Sequence, residues 1–366
     1  MVKQITYGVI SDVHGDPRIV PPTIDVLKRL GADKLLINGD IGNQQDTIQK
    51  SQDYVAFILE SIGQSGLESF VQPGSHEPLF AFSPVMDHFS DKYSNLIDVT
   101  KNQKVEQDGH SLIFLPGSDF LCRGEYQIGN NPDISSGRYA ITPSGLIPFE
   151  DFSQLGTVLK DQNVQGFMQY ANMNDLRTLV TDPDKSIVVC HVPRKFDNID
   201  NCVDVAHFHQ QRAYHRDFTR DPTTDWTYTE ISVQPGVISR SSIEAQGIPT
   251  FGLDATDSEI VAQAQAYAEL EGQSKVMFSV ERKQNRGNTD LKDLYRELGI
   301  TKAVSGHFHE SGHRAHDLSG ENVPQGSAVT NLFWNSGHLD AGQTGILTVR
   351  GDTVKYQNID IREYLR

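Results

Sequence analysis

The chain has 366 residues, a formal net charge of −16 and three cysteines. With 37% hydrophobic and 22% charged residues it can bury a substantial core, which excludes wholesale disorder and a disulfide scaffold. No apolar run reaches the roughly 18 residues of a membrane span, so no membrane partner is expected. The acid excess repels phosphate backbones at long range and argues against nucleic acid, short of a local basic groove.

Cys122, Cys190 and Cys202 are scattered and form no CxxC, so neither a zinc ribbon nor a redox dithiol is expected. Met1-Val2-Lys3-Gln4 leads straight into an apolar segment with no secretory pattern, and a reducing cytoplasm is the expected location.

In chain order, residues 5–10 read as a buried strand and residues 22–30 as a helix. Lys34-Leu35-Leu36-Ile37-Asn38 is a second strand, residues 44–63 a second helix, and Phe70-Val71 a third strand. This β-α-β-α-β rhythm predicts a largely parallel sheet. Residues 104–115 read as a hairpin around Asp108-Gly109. From 118 to 170 turn formers crowd together and predict a loop-rich excursion. Regularity returns with a helix near 173–180 and the strand 186–190. A second excursion spans about 195–255. Helices near 257–272 and 289–298, a strand at 301–305 and three closing strands complete the chain.

Catalytic loops of an α/β sheet gather at the carboxyl ends of its strands. Five such ends deliver Asp or His in succession. They are Asp12-Val13-His14, Gly39-Asp40, Gly74-Ser75-His76-Glu77, His191, and Gly306-His307-Phe308-His309. Asp and neutral His together suit Mn, Fe or Zn. One carboxylate can bridge two ions, and Asp40 is the natural bridge; such a pair clamps a phosphate and acidifies a water.

The ordered set resembles the calcineurin-like metallophosphoesterase superfamily, whose signature is D-x-H, G-D-x-x-D/N, G-N-H-D/E, a lone His, and G-H-x-H. The resemblance spans residues 12–309. It implies an α/β fold, the four-layer α/β/β/α sandwich of two mixed sheets, with the metals at the strand carboxyl ends. Residues 1–366 would form a single domain, the excursions at 118–170 and 195–255 making a cap or rim. Asp12, His14 and His309 resemble ligands of a first metal, Asp40 the bridge, and His191 and His307 ligands of a second. His76 resembles the histidine beside the leaving group, and a metal-bridging hydroxide would attack phosphorus.

Two positions depart from the family pattern. Ser75 replaces an Asn ligand and predicts a weak second site. Asn43 stands where many members carry an Asp that orients the catalytic His. Gln44-Gln45 and Pro78 replace the arginines typical of protein Ser/Thr phosphatases. The resemblance therefore implies a phosphodiesterase acting on a nucleotide or other small diester. The alternatives are a DNA nuclease, a phosphomonoesterase, or a non-catalytic scaffold. Residues 205–220 are locally basic and read as a solvated helix or loop face; Arg212 and Arg216 are the candidate substrate contacts, since Arg matches phosphate geometry. Asn335-Ser336-Gly337-His338 reads as a turn, and Asp16 as a helix N-cap before Pro17.

Overall fold

A computed structural model describes residues 2–120, 122, 124–158, 160, 163–216, 226–230 and 250–365. The chain divides into two compact units, Met1–Asp204 with Asn285–Arg366, and Val205–Gln284.

In the first unit every residue of β1 (Ile5–Ile10) is buried. A strand covered on both faces has no solvent side, so its apolar run is unbroken. β2 (Lys34–Asn38), β3 (Glu68–Gln72) and β4 (Leu96–Asp98) follow in parallel, joined through the helices Val20–Arg29, Ile48–Gln64 and Leu79–Lys92. The second helix starts where Thr47 accepts a hydrogen bond from Lys50 N, a side-chain cap. The third helix escapes the sequence reading: Pro84 lies inside it and interrupts an otherwise helical spacing of Leu79, Phe82, Met86 and Phe89.

The predicted hairpin is β5 (Lys104–Gln107) and β6 (His110–Leu115). The first excursion is more ordered than its turn formers suggest. It contains β7 (Tyr126–Gly129), β8 (Gly137–Thr142), β9 (Gly145–Phe149) and β10 (Gly166–Asn172), a sheet of order β7-β10-β8-β9. β11 (Ser186–Cys190) then lies between β6 and, further on, β16 (Lys302–Ser305). Before β16 the chain makes the second unit. There β12 (Val205–Arg216), β13 (Trp226–Glu230), β14 (Thr250–Phe251) and β15 (Lys275–Asn285) form a sheet of order β13-β12-β15-β14. Tyr214, Phe278 and Val280 pack there against Ile260 and Ala264 of the helix Asp257–Glu271. Residues 205–216 are therefore a strand, not the solvated helix or loop face expected from their charges. The rest of that excursion, 217–225 and 231–249, lies outside the described residues.

After β16 come β17 (Ala315–His316), β18 (Leu332–Asn335), β19 (Gln343–Arg350) and β20 (Thr353–Asp360). The two large sheets run β20-β19-β1-β2-β3-β4 and β17-β18-β16-β11-β6-β5. Tyr7, Val9, Leu36 and Phe70 of the first share one buried cluster with Phe114, Val189, Val304 and Trp334 of the second. A separate cluster joins Ile10, Leu35 and Val71 of the first sheet to Leu27, Ile58 and Phe82 on its helices. Another joins Ile113, Val188 and Phe333 of the second sheet to Leu176, Leu291 and Leu294. The sheets thus meet face to face, and helices cover the outer face of each. β1, β2 and β3 are mutually parallel, as are β6, β11, β16 and β18. The carboxyl ends of each set therefore open on one edge.

Candidate metal centre

The site begins where the parallel ladder overruns its strands. Asp12 N donates to Gly39 O (3.2 Å) and Val13 N to Asp40 O (2.7 Å), which locks the ends of β1 and β2 together. Asp12 and Asp40 both take the left-handed backbone conformation, at φ 57° and 54°, and His307 does so at 66°. Such residues are uncommon outside glycine and cluster where the chain must turn a side chain sharply. Here they turn two carboxylates and an imidazole into one pocket.

Two glycines make room. A Cβ on Gly39 would stand 2.7 Å from His191 Nδ1, and one on Gly74 would stand 2.4 Å from Asp40 Oδ1. The backbone can therefore approach the bridging position only without a side chain. Asp40 Oδ1 accepts from the N–H groups of Ser75 and His76 (3.0 Å for the latter), and Oδ2 accepts from Ser75 Oγ at 2.9 Å.

His191, fully buried, bridges the two sheets. Its Nδ1–H donates to Asn38 O at 2.8 Å, which turns Nε2 towards the site. Nε2 makes no hydrogen bond, although it lies 3.0 Å from Asp40 Oδ2 and 3.7 Å from Asp12 Oδ1. Two carboxylate oxygens facing this nitrogen call for a positive charge between them, a proton on Nε2 or, in its place, a metal ion. Burial alone would hold this imidazole neutral, but Asp40 and Asp12 outweigh it and raise its pKa. Burial also acts to raise both carboxyls, and the imidazoles, His191 first, hold them below the usual carboxylate range.

Three donor groups converge, each with its ligand atoms within 4.8 Å of one another. They are Asp12–His14–His309, His14–Asp40–His76 and Asp40–His191–His307. His309 Nε2 lies 3.2 Å from Asp12 Oδ1, and His14 Nε2 lies 3.9 Å from Asp12 Oδ1 and 3.7 Å from Asp40 Oδ2. Burial lowers the pKa of His307 to about 3, so it presents a neutral, metal-competent ring. The oxygen and imidazole donors fit a borderline divalent ion such as Mn, Fe or Zn.

Of the residues singled out in the sequence, Asp12, His14, Asp40, Ser75, His76, His191, His307 and His309 come together here. Ser75 turns its hydroxyl to Asp40 and lies 3.5 Å from His307 Nδ1. Asn43 donates from Nδ2 to His14 O at 3.1 Å, and among the described residues no hydrogen bond joins it to His76. Arg212 is buried on β12 and its Nη1 donates to Asp257 Oδ1 at 2.7 Å within the second unit. The Arg216 side chain lies outside the described residues. Asp16 accepts from Arg18 N at the start of a short helical turn, as an N-cap.

The sequence reading missed three supporting residues. Asp340 Oδ2 accepts from His14 N and Gly15 N at 2.8 and 2.9 Å, holding the D-x-H loop from a position 326 residues away. His338 stacks on His309 with ring centroids 4.3 Å apart. Glu77 joins the loops: its carboxylate accepts from Ile41, Gly42 and Gly74 N, tying the second loop to the third. Burial, with the Asp40 charge beside it, raises Glu77 to about 8. Only the terminal Gly337-His338-x-Asp340 run offered a signal for two of these, and a turn explained it equally well.

No curated protein matches the chain. Among solved structures, a protein of Thermus thermophilus aligns over 97% of this chain and 99% of its own, at 9% identity and a TM-score of 0.46. A dimetal phosphatase from Danio rerio aligns over 97% and 98%, at 11% identity and a TM-score of 0.42. The family model for calcineurin-like phosphoesterases matches residues 5–229. That match takes in four of the five strand-end motifs; the fold adds the fifth, His307 and His309, beside them. The chain belongs to the calcineurin-like phosphoesterase family and is a metal-dependent phosphoester hydrolase.

Proposed function

We propose that the protein is a phosphodiesterase acting on a nucleotide or other small diester. Asp12, His14 and His309 would hold one divalent ion and His191 and His307 a second, with Asp40 able to serve both. The observation that carries this reading is the pair of buried carboxylates facing the unbonded Nε2 of His191. Bound divalent ions would supply Lewis acidity towards the phosphoryl oxygens and a water acidic enough to attack near neutral pH. Manganese is the proposed native ion and the cytoplasm the proposed location; the three cysteines are free, which suits a reducing setting. No described helix is long and apolar enough to cross a membrane.

The residues divide the remaining work. His76 has its Nε2 3.9 Å from Asp40 Oδ2 and a side chain 31% exposed, so it can meet a leaving-group oxygen arriving from solvent. Among the described residues the ionic partners of Asp12 and Asp40 are all histidines. The first excursion supports a rim role: the Phe120 ring lies 4.8 Å from that of His307, and Gly124 N donates to Ser75 O.

Hydrolysis of bis-p-nitrophenyl phosphate with added Mn²⁺ tests the reading, with p-nitrophenyl phosphate as comparison and His76→Ala as control. The diester should be the better substrate. No activity with any divalent metal would favour a non-catalytic scaffold instead. The hydrogen bond from Ser75 to Asp40 supports a second metal held weakly. Elemental analysis should then find fewer than two equivalents in the wild type and more in Ser75→Asn; two full equivalents in both would sink that idea.

A further inference from the structure

Away from the metals, Arg194 stands out. It is only 7% exposed, yet among the described residues no carboxylate lies within salt-bridge distance and its buried Nε has no hydrogen-bond partner. The guanidinium carbon sits over two aromatic rings, 4.0 Å from the Phe196 centroid and 5.0 Å from that of Phe333. The nearby carboxylates are committed elsewhere. Asp204 accepts from Phe196 N, Gly287 N and Asn285 Nδ2. Asp197 is paired with Lys292 Nζ at 2.7 Å.

An arginine cannot shed its charge to suit an apolar site, as a buried lysine or histidine can. A cation–π contact returns less than the desolvation of a guanidinium takes away. The remainder faces a cavity of about 210 Å³ lined by Arg194, Phe196, Asp197, Asn198, Cys202 and Ser319. Of these, Ser319 donates to Asp317 and Asn198 to Gly320 O, so Arg194 holds the uncommitted donors.

We propose that this cavity is a binding site for a small oxyanion, a carboxylate or a phosphate, held by the Arg194 fork. Five N–H donors in a planar fork match two oxygens of either group, and the contact with Phe196 holds the guanidinium in place in advance. The volume selects for size. At roughly 300 Å³ and above a pocket houses a drug-sized ligand, so this one suits an inorganic ion or a small carboxylate rather than a nucleotide.

Isothermal titration of the metal-loaded protein with inorganic phosphate in one arm and malonate in the other tests the site. Wild type should bind one equivalent of at least one anion that Arg194→Met does not, the Met stem keeping the contact with Phe196. Arg194→Lys should bind the same anion at least tenfold more weakly. Hydrolysis of bis-p-nitrophenyl phosphate without either anion should be unchanged in both variants, which separates this site from the metal centre. The arm that shows the Arg194-dependent equivalent identifies the anion as phosphate or carboxylate. Identical titrations of wild type and Arg194→Met in both arms would overturn the proposal and leave Arg194 as a water-solvated packing residue. Retained activity in Arg194→Met shows that the variant is folded, so lost binding is not lost structure.

Discussion

Gly74→Ala is the smallest change that reaches the bridging carboxylate. The added Cβ would stand 2.4 Å from Asp40 Oδ1, 2.7 Å from Asp40 N and 2.8 Å from His191 Cδ2. An ordinary contact needs about 3.4 Å, so the carboxylate must retreat by about 1 Å or the loop must move as far. Neither is free to move: Oδ1 is held by two backbone N–H groups, and Gly74 N is bonded to the buried Glu77. Overpacking of this kind costs about 1–3 kcal/mol in stability. A shift of about 1 Å at a reacting centre costs on the order of 100-fold in rate. The expected result is a fall of about that size in kcat/KM for bis-p-nitrophenyl phosphate, with less bound metal by elemental analysis. Gly156→Ala, where a Cβ would meet nothing within 4 Å, should leave both unchanged. Full activity and metal content in Gly74→Ala would refute the placement of Asp40 at the heart of the site.

Three further outcomes are expected. Asp340→Ala removes the acceptor of His14 N and Gly15 N, and should lower activity between about 10- and 100-fold without unfolding the chain. Arg212→Gln should destabilise the protein by about 1–3 kcal/mol in urea and leave KM unchanged, because the buried guanidinium is bonded to Asp257; a raised KM at unchanged stability would restore it as a substrate contact. Stability should also fall in mild acid. Burial lowers His110 and His316 to about 4, so between about pH 6.5 and 4 the unfolded chain binds protons that the folded chain refuses. Each contributes a loss of about 3 kcal/mol across that window and none above it. Urea midpoints against pH would show this, and His110→Gln should flatten the slope.

What the sequence reveals depends on how far each cause reaches along the chain. β1, β6 and β11 are buried throughout and β2 at all but its first residue, and local hydropathy suffices to find them. The metal-site residues are legible because each follows such a run within a few positions. The helix Leu79–Lys92 is hidden by Pro84, a local signal that tertiary packing overrides. The sheet β7-β10-β8-β9 is hidden by its turns, since its pairing is set by partners far apart in sequence. Asp340 and His338 act on His14 and His309 only after the chain returns through β18, which no spacing rule anticipates. The left-handed backbone at Asp12, Asp40 and His307 is likewise a product of the assembled site. The positive charges at 205–220 misled for the same reason: Arg212 is buried on a strand and bonded to Asp257, not solvated on a helix or loop face.

The central claim is that Asp40 is shared between two ions, one beside Asp12, His14 and His309, the other beside His191 and His307. Anomalous diffraction at the manganese edge, from crystals grown with Mn²⁺, tests it most directly. The account predicts two peaks about 3.5–4 Å apart, each within coordination distance of Asp40. A single peak at saturating Mn²⁺, or ions bound without Asp40, in a protein that still hydrolyses the diester would contradict it.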